Sequence, residues 1–131
     1  MTIRFEPIVG KCGEIVESLM QSEDMPKDDG LCFKIRLSVE ETVENVVNYA
    51  YKEGLGYIEI ETKKEDNVLS IILKDSGKPF NPLAKSDPDI TLSVEERPIG
   101  GLGIFLCKQM MDDVQYSFKD GCNILTMKIN V

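Results

Sequence analysis

The run Tyr57-Ile58-Glu59-Ile60-Glu61-Thr62-Lys63-Lys64-Glu65-Asp66-Asn67-Val68-Leu69-Ser70-Ile71-Ile72-Leu73-Lys74-Asp75 decides the fold. Ile58 and Ile60 alternate with Tyr57, Glu59 and Glu61, the period of a half-buried strand. Glu65-Asp66-Asn67 supplies a turn, and Val68 to Leu73 reads as the next strand. Asp75 continues the alternating set Leu69, Ile71 and Leu73, so it emerges on their face where the strand ends. An acidic side chain there must be hydrogen-bonded or solvated in a pocket.

Upstream the period changes. Leu31, Ile35, Val39, Val43, Val46 and Ala50 recur at three- and four-residue steps, which predicts a long helix over about 31–51, ended by Gly54 and Gly56. Ile15, Val16, Leu19 and Met20 predict a shorter helix over 9–23, with a polar connection over 22–30 and a short edge strand over 2–7. Downstream, residues 76–99 are rich in Pro, Asp and Ser and read as a long loop, a length that in a compact domain is usually functional or mobile. Gly100-Gly101-Leu102-Gly103 opens a helix to about Met111. Two strands, Val114–Phe118 and Ile124–Val131, close the chain around a hairpin at Asp120-Gly121. This order predicts an α+β sandwich, with helices on one face of a mainly antiparallel sheet, as one domain over 1–131.

Composition excludes much chemistry. The chain of 131 residues has no histidine, which rules out a Ser-His-Asp triad, a Cys-His pair and an H-E-x-x-H zinc site built from its own residues. Acid–base work falls to Asp, Glu, Lys, Tyr or Cys. A formal charge of −8 argues against a nucleic-acid binder, whose affinity comes from clustered Lys and Arg. Cys12, Cys32, Cys107 and Cys122 form no C-x-x-C pair and read as reduced thiols of a cytoplasmic protein. No apolar run reaches membrane-spanning length.

Three motifs carry chemistry. In Glu41-Thr42-Val43-Glu44-Asn45, Glu41 and Asn45 lie about 40° apart and about 160° from Val43 at 100° per residue. A carboxylate that can act as a base thus stands beside an amide that can complete the shell of a Mg²⁺. Taken alone, this spacing is more often a solvated helix face. Asp75-Ser76-Gly77 ends a strand with a carboxylate suited to accept from an exocyclic amine such as adenine N6, while Gly77 lets backbone pass close to a flat ligand. Alone, it is more often an ordinary turn. Gly100-Gly101-Leu102-Gly103 at the head of a helix offers backbone N–H groups and the positive dipole end to phosphates, though alone it serves a hinge equally well. In this order and on these elements the three together are specific.

The combination resembles the N, G1 and G2 boxes of the GHKL ATPase superfamily. Within it the likeness is greatest to bacterial anti-sigma factors that are also serine/threonine protein kinases. The runs Glu40 to Tyr51, Asp75 to Leu83 and Arg97 to Ile104 look like that subfamily's versions. The resemblance implies a Bergerat-type ATP site on a two-layer sandwich with a mainly antiparallel mixed sheet. It implies Glu41 as the base, Asn45 holding Mg²⁺ against ATP, and Asp75 with Gly77 at the adenine. Gly101, Leu102 and Gly103 would lie at the phosphates and 83–99 would form the lid. It further implies phosphorylation of a small anti-anti-sigma (STAS-like) antagonist, a sigma factor as second partner, and a homodimer. The alternative within the same likeness is an ATP-gated protein-binding regulator with little or no kinase activity. Sensor histidine kinases usually carry an amide at the first N-box position. Glu41, in a chain without histidine, favours a hydroxyl substrate.

Overall fold

The computed structural model describes residues 2–5, 12–46, 57–77 and 102–131. Its elements run β1 (Thr2–Phe5), α1 (Cys12–Met20), α2 (Asp29–Asn45), β2 (Ile58–Glu65), β3 (Val68–Asp75), α3 (Leu102–Met110), β4 (Asp113–Lys119) and β5 (Cys122–Asn130). This is the order read from the sequence, and the fold is α+β. The strands form one sheet in the order β1-β2-β3-β5-β4, and every pairing among the described residues is antiparallel. The ends of the first two helices expected near 9 and 51, the glycines at 54 and 56, and the 83–99 loop lie outside the described residues.

Alternation puts one face of the sheet in the core. On β3, Leu69, Ile71, Leu73 and Asp75 are buried while Ser70, Ile72 and Lys74 are half-buried. Their cross-strand partners continue the same face: Leu73 stands between Ile60 and Leu125, and Ile71 between Thr62 and Met127. Against this face pack Ile15, Val16 and Leu19 of α1, Ile35, Val39 and Val43 of α2, and Cys107 of α3, in one apolar cluster. Burial of this kind is worth about 25 cal/mol per Å² of apolar surface.

Local chemistry sets the boundaries. Asp28, with φ −75° and ψ 123°, accepts from the Leu31 N–H at 2.9 Å and caps α2, which therefore starts at Asp29 rather than 31. Both hairpins have positive φ at their two central residues: Asp66 and Asn67 at 49° and 65°, Asp120 and Gly121 at 54° and 77°. That matches the right-handed strand twist and closes two-residue loops. The second turn begins β5 at Cys122, two residues before the expected start. The Thr62 hydroxyl donates to Asp24 Oδ2 at 2.7 Å, fastening the α1–α2 connection to β2.

Candidate functional site

Asp75 ends β3 facing the core, and only 3% of it is exposed. Its Oδ1 accepts two hydrogen bonds of 2.9 Å, from the Gly77 N–H and from Asn123 Nδ2. Asn123 stands opposite Asp75 on β5, and its Oδ1 accepts from the Tyr116 hydroxyl. Burial pushes the Asp75 carboxyl above the usual carboxylate range, opposed by the bonds from Asn123 and Gly77. The sheet therefore ends in a buried, oriented acceptor whose second oxygen, Oδ2, takes no bond from any described residue.

Glu41 and Asn45 lie one turn apart near the C-terminal end of α2. Among the described residues of that helix and its C-cap, Ile35, Ser38, Val39, Thr42, Val43 and Val46 are buried. At 100° per residue they span an arc whose edge is Ser38, and positions 41 and 45 fall beside that edge, within about 60° of it. The pair is thus on the shoulder of the core rather than diametrically opposite it, as reckoning from Val43 alone suggests. Glu44, by contrast, is exposed. Thr42 can occupy the buried face because its hydroxyl donates to the Ser38 and Val39 carbonyls. Half-buried Glu41 is lifted above the usual carboxylate range, first by desolvation and then by the charges of Glu44 and Glu40.

The shoulder faces α3. The Cys107 thiol is pushed up to about 11, mainly by burial; the Ser38 hydroxyl lowers it, and the Glu41 charge raises it. Cys107 Sγ also lies 3.3 Å from Met127 Sδ on β5. Helix α3 is joined to β4 by Met111 and Asp112, where the Asp112 N–H donates to the Lys128 carbonyl at 2.8 Å. The helix that this short link follows has its first turn at Leu102. Leu102 and Gly103 occupy that first turn, whose N–H groups have no partners within the helix. Gly101 and the 83–99 stretch lie outside the described residues.

The structure thus brings Asp75 and Gly77 into one hydrogen-bonded unit and sets Glu41 beside position 45. Asn123 and Tyr116 were missed by sequence reading. The signal was present, because Asn123 continues the alternating set Leu125, Met127 and Ile129 just as Asp75 continues Leu73. Among the described residues no group of three or more Cys, Asp or Glu is arranged to hold a metal. A Mg²⁺ that keeps waters and binds phosphates needs only one or two protein oxygens, so the donor chemistry of the α2 shoulder is compatible with it. No helix among the described residues is long and apolar enough to cross a membrane.

A solved histidine kinase domain, from the blue-light activated histidine kinase of Erythrobacter litoralis EL346, shares the fold. The TM-score is 0.60 over 91% of this chain and 58% of that one, at 14% identity. The chain is also 36% identical over 98 residues to serine-protein kinase RsbW of Bacillus cereus (strain AH820), and equally to its counterparts in Bacillus anthracis (strain A0248) and Bacillus thuringiensis (strain Al Hakam). Each match covers 72% of this chain and 61% of the relative, so the chain spans less than two thirds of their length. Residues 9–129 match the family model described as histidine kinase-like ATPase domain. The antiparallel sheet, the buried strand-end carboxylate and a match over nearly all of its length lead to one conclusion: this chain belongs to the histidine kinase-like ATPase domain family.

Proposed function

We propose that the chain is an ATP-dependent serine/threonine protein kinase of the anti-sigma type, acting in the cytoplasm on a small STAS-like antagonist and binding a sigma factor, as a homodimer. Similarity to proteins named serine-protein kinase supports the reaction class. The observation that carries it is Glu41: a half-buried carboxylate with a raised pKa, on the helix shoulder beside α3. A base poised nearer neutrality than an ordinary glutamate takes a hydroxyl proton more readily.

In this reading Asp75 Oδ2 accepts from the adenine amine, and Gly77 lets the backbone lie along the base. The N–H groups at Gly101, Leu102 and Gly103 receive phosphate oxygens at the positive end of α3. Asn45 holds Mg²⁺, which when bound offsets the phosphate charge. Glu41 takes the proton as the serine oxygen bonds to the γ-phosphorus, and the bond from that phosphorus to the β–γ bridging oxygen breaks to release ADP. The test is transfer of labelled γ-phosphate to the antagonist. With Glu41→Gln, transfer is expected to fall about 10²–10⁴-fold while ATP affinity stays within about twofold of the native value. Undiminished transfer would remove Glu41 from the mechanism.

A further inference from the structure

Two donors converge on one oxygen of Asp75, and neither can be reversed while that carboxyl is ionised. A backbone N–H only donates, and that of Gly77 ends on Oδ1. The Asn123 amide turns Nδ2 to the same Oδ1 and leaves its own oxygen to the Tyr116 hydroxyl. The polarity therefore runs one way, from Tyr116 through Asn123 to Asp75, and Oδ2 remains as the acceptor that no described residue engages. Both Asp75 and Asn123 are almost fully buried, at 3% and 4% exposed. A buried acceptor facing the wrong partner loses its hydrogen bond without recovering it from water.

We propose that Tyr116 and Asn123 are positioning residues that set purine specificity. By holding Oδ1 inward they present Oδ2 to a 6-amino purine and make the site reject a 6-oxo purine. This rests on reading Asp75 as the adenine contact. It makes a claim about polarity that the reading alone does not. In Asp75→Asn the amide must keep its oxygen where Gly77 N–H and Asn123 Nδ2 donate. Its NH₂ then points outward, a donor matched to a 6-oxo group. One atom changes, and the base preference inverts. The inversion is strongest with Asn123 in place, because without it the Gly77 N–H alone holds the amide oxygen.

The experiment measures equilibrium binding of ATP and inosine triphosphate, both with Mg²⁺, alongside thermal melting. The native chain is expected to prefer ATP by about tenfold or more, the scale on which a buried polar site rejects a mismatched group. Asn123→Ala and Tyr116→Phe narrow that ratio several-fold through loss of ATP affinity, with inosine triphosphate nearly unchanged. Asp75→Asn reverses the preference without lowering the melting temperature, since burial makes the native charge costly. Adding Asn123→Ala to Asp75→Asn shrinks the reversal several-fold. An unchanged ratio in Tyr116→Phe, which keeps the ring and its packing, overturns the proposal, as does a reversal undiminished by loss of Asn123. Failure of the native chain to bind either nucleotide overturns the ATP reading beneath it, an outcome that needs no variant and is distinct from the others.

Discussion

Glu41 and Asp75 are both carboxylates lifted above their ordinary range, by environments that suit them to different work. Asp75 is lifted by burial, against two hydrogen bonds that favour its charge. Glu41 is lifted by partial desolvation together with its helical neighbours Glu44 and Glu40. The Glu41 charge in turn helps to raise the buried Cys107 thiol on α3. A base must be deprotonated to work, so phosphoryl transfer should fall as pH drops through the raised Glu41 pKa. Glu44 is exposed and outside the proposed machinery, and Glu44→Gln removes one repelling charge. The acid limb of single-turnover transfer should therefore move to lower pH with its plateau unchanged. A limb that stays in place would show that another group titrates. At this scale the sequence was legible where a polar residue interrupts a recognisable apolar alternation. Asp75 stood out for that reason. Asn123 did not, because starting the last strand at Ile124 leaves Cys122 and Asn123 with the turn, whereas β5 begins at Cys122.

Helix α2 carries both the packing of the α1–α2–sheet core and the proposed catalytic shoulder, so its N-terminal cap reaches the site through the helix's register and stability. Asp28 accepts the Leu31 N–H, and the Cys32 N–H bonds to the Asp28 carbonyl at 2.9 Å. Asp28→Ala should cost about 1 kcal/mol, the usual worth of an N-cap, or roughly 3–5 °C in melting temperature for a domain of this size. Asp28→Ser should recover most of it. Loss of less than a third of that value would mean that the first turn is held by packing alone. The existence and order of every described element could be read from hydrophobic period, since tertiary packing here agrees with local pattern. The orientation of α2 could not. Its buried face includes Ser38 and Thr42, and a pattern that counts polar residues as solvent-facing rotates the helix away from its true seat. Thr42 can lie there because its hydroxyl bonds back to its own helix.

The whole molecule carries a charge of −8 before any nucleotide arrives, and its described ion pairs, such as Arg4–Glu59 at 3.5 Å, lie at the surface where they contribute little. A triphosphate binding to such a chain needs its charge offset by Mg²⁺ and by oriented N–H groups. Cys107 gives a way to measure that linkage across the entire fold. It is buried between α2 and β5, and its pKa near 11 leaves roughly one thiol in 10⁴ ionised at neutral pH, so alkylation must await opening of the core. Half-buried Cys32, near the start of α2, serves as an internal control in the same sample. Labelling followed by peptide mass spectrometry should slow at Cys107 as Mg-ATP saturates the native state. At about 100 times Kd the slowing should approach 100-fold, because the ligand binds only the closed form. Cys32 should change little. Adding EDTA with ATP still present should return Cys107 most of the way to its unliganded rate. If protection survives EDTA in full, the acidic chain holds the triphosphate through backbone and side-chain donors alone, and the role given to Asn45 and Mg²⁺ is wrong.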